Sequence, residues 1–200
     1  RKDPPENAGS FVVRFKTPLS GELVLQDLIK GEVRFPLQEI DDFVILRSND
    51  TPIYNLTVVV DDVEMKITHV IRAEEHLNNT PKQMLLMNAL NFTPPAYGHV
   101  PLILAADKTK LSKRHGAVAV SQFKSDGYLA EAMINGLMRL GWSHGDQEYF
   151  SGDELSKFFD LAGCGSSGSV FDQKKLDSIN SHYIKQKTPE ALVVFIKEQL

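Results

Sequence analysis

Between residues 11 and 48 the apolar positions come in short runs, FVVRF, ELVLQDLI, EVRFPL and FVILR, broken by Gly and Pro, and this pattern predicts a small strand-rich segment. The ten residues before it, RKDPPENAGS, are polar and read as a loop or frayed terminus. A turn is signalled at Asn49-Asp50-Thr51-Pro52, and the runs IYNLTVVV and KITHVI after it are rich in β-branched residues, which predicts two strands covered on both faces and the start of an α/β core. Thr80-Pro81-Lys82-Gln83 combines a capping threonine, proline at the first helical position and glutamine three residues after the cap. A helix to about Leu90 should follow, with Met84, Met87 and Leu90 or Leu85 as its core stripe. HVPLILAAD then reads as a third buried strand running into the polar loop DKTKLSKRHG. Beyond residue 120 the spacing is helical. Leu129, Met133, Leu137, Met138 and Leu140 recur until Gly141, Ser151 and Glu154 have capping-box spacing ahead of Leu155, Phe158 and Phe159, and Thr188-Pro189 opens a last helix carrying Leu192, Phe195, Ile196 and Leu200.

With 200 residues, 42% hydrophobic and 24% charged, the composition is that of a soluble globular chain of one domain or two small ones, and it excludes a disordered tail or a fibre. The longest apolar runs, VPLILAA and TVVV, fall far short of the roughly 20 residues a membrane-spanning helix needs. Cys164 is the single cysteine, so no internal disulfide is available and a reducing, cytoplasmic setting is the default. A net charge of −4 argues against nucleic-acid binding over the whole surface and directs the search to a local patch. The first residue is Arg1 and the methionines lie at 65, 84, 87, 133 and 138, so the sequence reads as a fragment without its natural start.

That local patch is the loop 107–116, where Lys108, Lys110, Lys113 and Arg114 gather around Ser112 after a buried strand. Ammonium groups at the end of an α/β strand suit a polyphosphate, since they can follow charge as it develops in a transition state. The histidines at 69, 76, 99, 115, 144 and 182 show no ligand spacing with Cys164, so no protein-bound zinc or other metal site is expected, and most should be ordinary polar or core residues. Asp61 and Asp62 invite a two-carboxylate hydrolase, but neighbours on a strand point to opposite faces, and that reading is discounted.

The order of residues in the basic loop goes further. Lys110-Leu111-Ser112-Lys113-Arg114 resembles the KMSKS signature of class I aminoacyl-tRNA synthetases, and its continuation into His115-Gly116 resembles their bacterial glutamyl branch, the glutamate-tRNA ligases. Tyr54-Asn55-Leu56 followed by Val58 to Asp62, and Thr68-His69-Val70-Ile71-Arg72-Ala73-Glu74-Glu75-His76 ending in Asn79-Thr80-Pro81, match the same family in order and spacing. Asp126-Gly127-Tyr128-Leu129, Leu140-Gly141-Trp142-Ser143 and Val170-Phe171-Asp172 extend the resemblance over about residues 11–187.

The resemblance implies an α/β fold: the second half of a Rossmann-like catalytic domain, preceded by part of a strand-rich insertion and followed by a helical stem-contact domain. Residues 1–52 would be the later part of the acceptor-stem-binding insertion, 53–118 the second half of the Rossmann-like domain and 119–200 the helical domain. It further implies that Tyr54, Asn55 and Val58 line a glutamate pocket in which Arg72 holds the substrate. A guanidinium there would select acid over amide. Glu75 and His76 would lie beside ATP, the backbone near Ile103 would meet adenine, and Lys110, Leu111, Ser112, Lys113 and Arg114 would cover the triphosphate. Lys110 and Lys113 would be catalytic, with Lys113 stabilising the departing pyrophosphate. The implied partners are tRNA(Glu), L-glutamate and ATP with Mg2+, with no membrane. No His-x-Gly-His stands in the sequence. The HIGH-type first half of the site would therefore belong to a missing N-terminal part of the same polypeptide, the anticodon-binding region would lie beyond Leu200, and the chain alone is expected to be inactive. Two alternatives remain, a glutamyl-queuosine tRNA synthetase-like enzyme and a non-catalytic tRNA-binding module.

Overall fold

Two elements expected from sequence take a different form, and both shape the site. In the computed structural model, which describes residues 9–112 and 119–197, the run IYNLTVVV is not a strand but the start of helix α1, Tyr54–Glu64. Its β-branched residues favour a strand locally, but Asn55 and Val59, four apart, point together into the core, where Val59 is fully buried with Phe43, Leu86 and Met87. Packing thus overrides local propensity. The strand HVPLILAAD divides into β6, Ala96–Val100, and β7, Ile103–Leu104, because Pro101 has no N–H to continue a ladder.

The chain separates into two compact units, Arg1–His99 and Val100–Leu200. In the first, the expected strand-rich segment is present as β1 (Val13–Arg14), β2 (Glu22–Asp27), β3 (Gly31–Pro36) and β4 (Val44–Leu46). β1 pairs with β4 and β2 with β3, both antiparallel, the second pair in continuous register from Glu22 opposite Pro36 to Asp27 opposite Gly31. Turn formation at 49–52 is borne out by Arg47 and Thr51, whose backbones bond at 2.9 Å. Strand β5 (His69–Ala73) pairs with β6, and between them in sequence lie a 3₁₀ segment, Glu74–Asn79, and helix α2, Thr80–Ala89. Helix α2 begins where predicted, with Pro81 in its first turn, yet the capping role assigned to Thr80 is not taken: the cap is Asn79, and no side chain closes it. Its buried side also differs from the expected stripe. Gln83, Leu85, Leu86 and Met87 face inward, while Leu90 is exposed.

The tip of the β2–β3 hairpin is docked on β6. Leu28 N–H donates to the Tyr97 carbonyl at 2.8 Å, and a Cβ on Gly98 would stand 2.9 Å from Ile71 Cδ1 and within 3.6 Å of Leu28 and Ile29. Glycine at 98 is what lets the hairpin come this close.

In the second unit β7 pairs in parallel with β8 (Ser169–Val170). The helices α3 (Val120–Ser125), α4 (Ala130–Arg139), α5 (Gly152–Phe158), α6 (Gln173–Lys185) and α7 (Pro189–Lys197) bear out the helical reading of this half. Leu129 and Ala132 pack on Ile179 and Tyr183, joining α4 to α6, while Trp142, Phe150 and Leu155 form a second cluster. The Ser151–Glu154 capping box closes in both directions, Ser151 accepting from Glu154 N–H at 3.2 Å and Glu154 accepting from Ser151 N–H at 2.8 Å. On α7, Leu192 and Phe195 are half-buried and Ile196 is exposed, and Leu200 lies outside the described residues. No helix of the described residues is long and apolar enough to cross a membrane.

Candidate active site

In the first unit the predicted site residues stand on β5, on the 3₁₀ segment that follows it and on the first turns of α1. Helical geometry stacks Tyr54 and Val58, four residues apart, on one side of α1, Tyr54 about half exposed and Val58 half-buried. Asn55 turns the other way, buried, and accepts from Gln83 Nε2 at 3.4 Å. The expected placement of these residues on a strand is therefore corrected to the first turns of a helix. His76, on the 3₁₀ segment, brings its ring to 6.4 Å from that of Tyr54, centroid to centroid, and accepts a contact from Asn79 Nδ2 at 3.3 Å. Glu75 is exposed beside it, its Oε1 4.0 Å from His76 Nε2.

Arg72 is the most constrained of them. Half-buried on β5, its Nε–H donates to His99 Nε2 at 3.2 Å and its Nη2 to Thr80 Oγ1 at 2.8 Å, and the guanidinium lies 5.5 Å from the Tyr97 ring centroid. It does not pair with Glu74 or Glu75 among the described residues; Glu74 instead forms an ion pair with Lys30 at the hairpin tip. Behind Arg72 stands His99, which the sequence groups with the ordinary polar or core histidines, paired with Asp27, a residue not singled out from sequence. His99 Nδ1 lies 2.5 Å from Asp27 Oδ2, both side chains fully buried, and the His99 backbone N–H reaches Asp27 Oδ1 at 3.1 Å. One signal for Asp27 was available: it continues the inward register of Leu23 and Leu25 on β2, a carboxylate at a core position.

The charges respond to this packing. Burial pulls the Asp27 carboxyl upward, but the bonds from His99 and from the N–H groups of Lys30 and Ile29 together outweigh it and hold the group below its ordinary value. Burial pushes the Tyr97 phenol up to about 12 against the opposing pull of Arg72, and its hydroxyl finds no hydrogen-bond partner among the described residues. Gln83 Oε1 is in the same condition. Burial also raises Asp62, with Arg72 lowering it and Asp61 raising it. Asp61 and Asp62 stand on α1, not on a strand, so the reason given for their divergence does not apply; Asp61 is exposed and Asp62 half-buried.

In the second unit the basic loop folds back on β7. Leu111 N–H donates to the Ile103 carbonyl at 2.9 Å, Ala105 N–H to the Thr109 carbonyl at 2.8 Å, and Leu104 bridges Lys110. Asp107 ties the turn, accepting from Thr109 N–H at 3.0 Å and from its hydroxyl at 2.7 Å, and Lys108 takes a positive φ of 64°. Lys110 is exposed at the mouth of this turn, with Leu111 and Ser112 half-buried. Lys113 and Arg114, and with them His115, lie outside the described residues.

Arg72 on β5 and the basic turn after β7 carry the motifs of the resemblance, although β7 is not the buried strand expected, Ile103 being exposed and Leu104 half-buried, and the family comparison decides the matter: the profile described as tRNA synthetases class I (E and Q), catalytic domain, matches residues 2–178. The chain belongs to that family. Among the chain's relatives, a glutamate–tRNA ligase of Thermodesulfovibrio yellowstonii is 53% identical over 187 residues, 94% of this chain and 40% of that protein. A glutamate–tRNA ligase 1 of Alkalilimnicola ehrlichii is 50% identical over 198 residues, 99% of this chain and 42% of that protein. The chain therefore spans about two fifths of the length of these curated relatives. Among solved structures, a glutamate tRNA ligase from Elizabethkingia meningosepticum in complex with its amino acid superposes with a TM-score of 0.85 at 35% identity, covering 94% of this chain and 41% of that one. A glutamate-tRNA synthetase from Elizabethkingia anophelis gives 0.84 at 35% identity, over 94% and 42% of the two chains. The α/β class I synthetase architecture expected from sequence is thus established, as a set of two-stranded pairs flanked by helices among the described residues.

Proposed function

We propose that the polypeptide carrying this chain is a glutamate–tRNA ligase of the cytoplasm, which activates L-glutamate with ATP and passes the glutamyl group to the 3′ end of tRNA(Glu). The observation that carries this reading is the state of Arg72. Its Nε and Nη2 are committed to His99 and Thr80, while Nη1 makes no hydrogen bond among the described residues. A guanidinium held in this way offers a planar donor edge of fixed direction, which suits the side-chain carboxylate of glutamate and would leave donors unpaired against an amide. Tyr54 and Val58, on one side of the first turns of α1, and Asn55 are assigned to the wall of the same pocket. The ligase names of relatives about half identical to this chain support the same reading, and nothing in the structure favours the queuosine-type or non-catalytic alternatives.

In the reaction, the α-carboxylate of glutamate attacks the α-phosphate of ATP, giving glutamyl-adenylate and pyrophosphate. A terminal ribose hydroxyl of tRNA then attacks the adenylate carbonyl, and AMP leaves. Glu75, His76 and the backbone at Ile103 are assigned to ATP, which enters as its Mg2+ complex, and Lys110 to Arg114 to the triphosphate. Lys110 and Lys113 would stabilise charge on the departing pyrophosphate, an electrostatic role that requires no proton transfer. No group of three or more metal-ligating side chains occurs among the described residues. The stretches 1–52, 53–118 and 119–200 are assigned to the acceptor-stem insertion, the catalytic half-domain and the stem-contact helices.

ATP–pyrophosphate exchange by the full-length polypeptide, with tRNA present, tests the reading. Exchange dependent on glutamate and not supported by glutamine is expected, and Lys113→Ala should abolish most of it at unchanged folded content. Exchange supported equally by glutamine, or none with glutamate, would overturn it.

A further inference from the structure

We infer that Asp27 and His99 are positioning residues for amino-acid recognition: they fix the tautomer of one buried imidazole, and that tautomer dictates where the Arg72 guanidinium points. The inference rests on the glutamate reading above and extends it to two residues that do not touch substrate.

The hydrogen-bond directions leave little freedom. Arg72 Nε can only donate, so His99 Nε2, 3.2 Å away, must accept and carries no proton. Thr80 points the same way: its oxygen accepts from Arg72 Nη2 at 2.8 Å, which turns its own proton toward His99 Nε2 at 3.1 Å. The ring proton therefore sits on Nδ1 and is donated to Asp27 Oδ2 at 2.5 Å. Asp27 is fixed in turn from its other oxygen, since Oδ1 accepts from the N–H groups of Ile29 at 3.0 Å, Lys30 at 2.9 Å and His99 at 3.1 Å. Both side chains are fully shielded from solvent, so water cannot substitute for a misplaced proton. The order of dependence runs from the hairpin carboxylate through the imidazole to the arginine edge.

This arrangement makes Asp27→Asn a discriminating variant. Three N–H donors converge on Oδ1, so the amide oxygen must take that position and the amide NH2 must replace Oδ2. That group donates toward His99 Nδ1, drives the ring proton to Nε2 and sets it against Arg72 Nε–H. Size and turn geometry are kept; the tautomer is inverted.

The test combines two measurements on the full-length polypeptide. The first is imidazole nitrogen NMR of histidine-labelled protein, with His99→Gln to assign the signal; wild type should show an Nδ1–H ring at His99, and Asp27→Asn an Nε2–H ring. The second is ATP–pyrophosphate exchange, in which Asp27→Asn should raise KM for glutamate about tenfold or more, the size of one hydrogen bond to a charged group, with KM for ATP nearly unchanged. In an Arg72→Ala background Asp27→Asn should add almost nothing. A merely structural role would move both substrates together and lower the folded fraction. A glutamate KM within about twofold of wild type overturns the inference whatever the tautomer, and so does a parallel rise for both substrates. Wild-type protein without glutamate-dependent exchange would instead overturn the functional reading, and the inference with it.

Discussion

Thr80 accepts a 2.8 Å hydrogen bond from Arg72 although its position in the sequence is that of a helix cap. The hydroxyl that would have closed α2 serves the strand beside it, and Thr80 itself is fully buried. Thr80→Val keeps the shape but removes the acceptor, and should weaken glutamate recognition by about 1.5–3 kcal/mol, the usual worth of a bond to a charged group. Thr80→Ser, which keeps the oxygen, should retain it. Glutamate KM in the two variants checks this, and equal values would show that the hydroxyl does not matter.

Lysine cannot replace arginine at position 72. An ammonium is a single point of charge on a flexible stem, and it cannot span His99 and Thr80 while presenting a planar edge. Arg72→Lys should therefore raise glutamate KM about a hundredfold, near the loss of two hydrogen bonds to a charged group. A lysine variant that binds glutamate normally would mean that only net charge is read.

Asp27 predicts a signature in acid. Its carboxyl lies below its ordinary value of 3.8 in the folded chain, so the ionised form is favoured by folding. That stabilisation is complete above 3.8 and is lost as pH falls through the lower folded value. Measured by denaturant unfolding over a pH series, the stability gap between wild type and Asp27→Asn should be constant from neutrality down to that ordinary value and should narrow below it. A gap that closes already between neutrality and pH 5 would assign the acid sensitivity to another group.

Gly163 lies against the ring of Trp142, the chain's single tryptophan, and a Cβ there would meet Nε1 at 2.5 Å and Cδ1 at 2.8 Å. The indole cannot yield easily, being 4% exposed and packed on Phe150 at 5.3 Å and Phe159 at 5.8 Å between ring centroids. Gly163→Ala should cost about 1–3 kcal/mol through overpacking and shift the tryptophan emission. An unchanged spectrum and melting temperature would show that the ring moves freely.

The parts of this structure that could be read from sequence are those determined locally. The Ser151–Glu154 box, the turn at 49–52 and the hairpin strands follow from residues only a few positions apart, and the motifs around Arg72 led to the family. Helix α1 was misread because Val58, Val59 and Val60 favour a strand, and only the alignment of Asn55 with Val59 against Phe43 and Leu86 reverses that preference. Thr80 was misread because its true partners, Arg72 and His99, are not its neighbours in the helix. His99 gave no local sign at all: its role exists only once Asp27, 72 residues earlier, is folded against it.

That separation sets a timetable for synthesis. The hairpin leaves the ribosome well before the strand that receives it, and at the usual rate of about 5–20 residues per second its tip waits several seconds for His99. Until then Asp27 can satisfy the N–H groups of its own turn, as it does in the finished fold, so the same oxygen that later anchors the histidine first holds the hairpin closed while it waits. The tip can thus be shaped before its partner exists, and docking on β6 becomes the joining of two prepared surfaces.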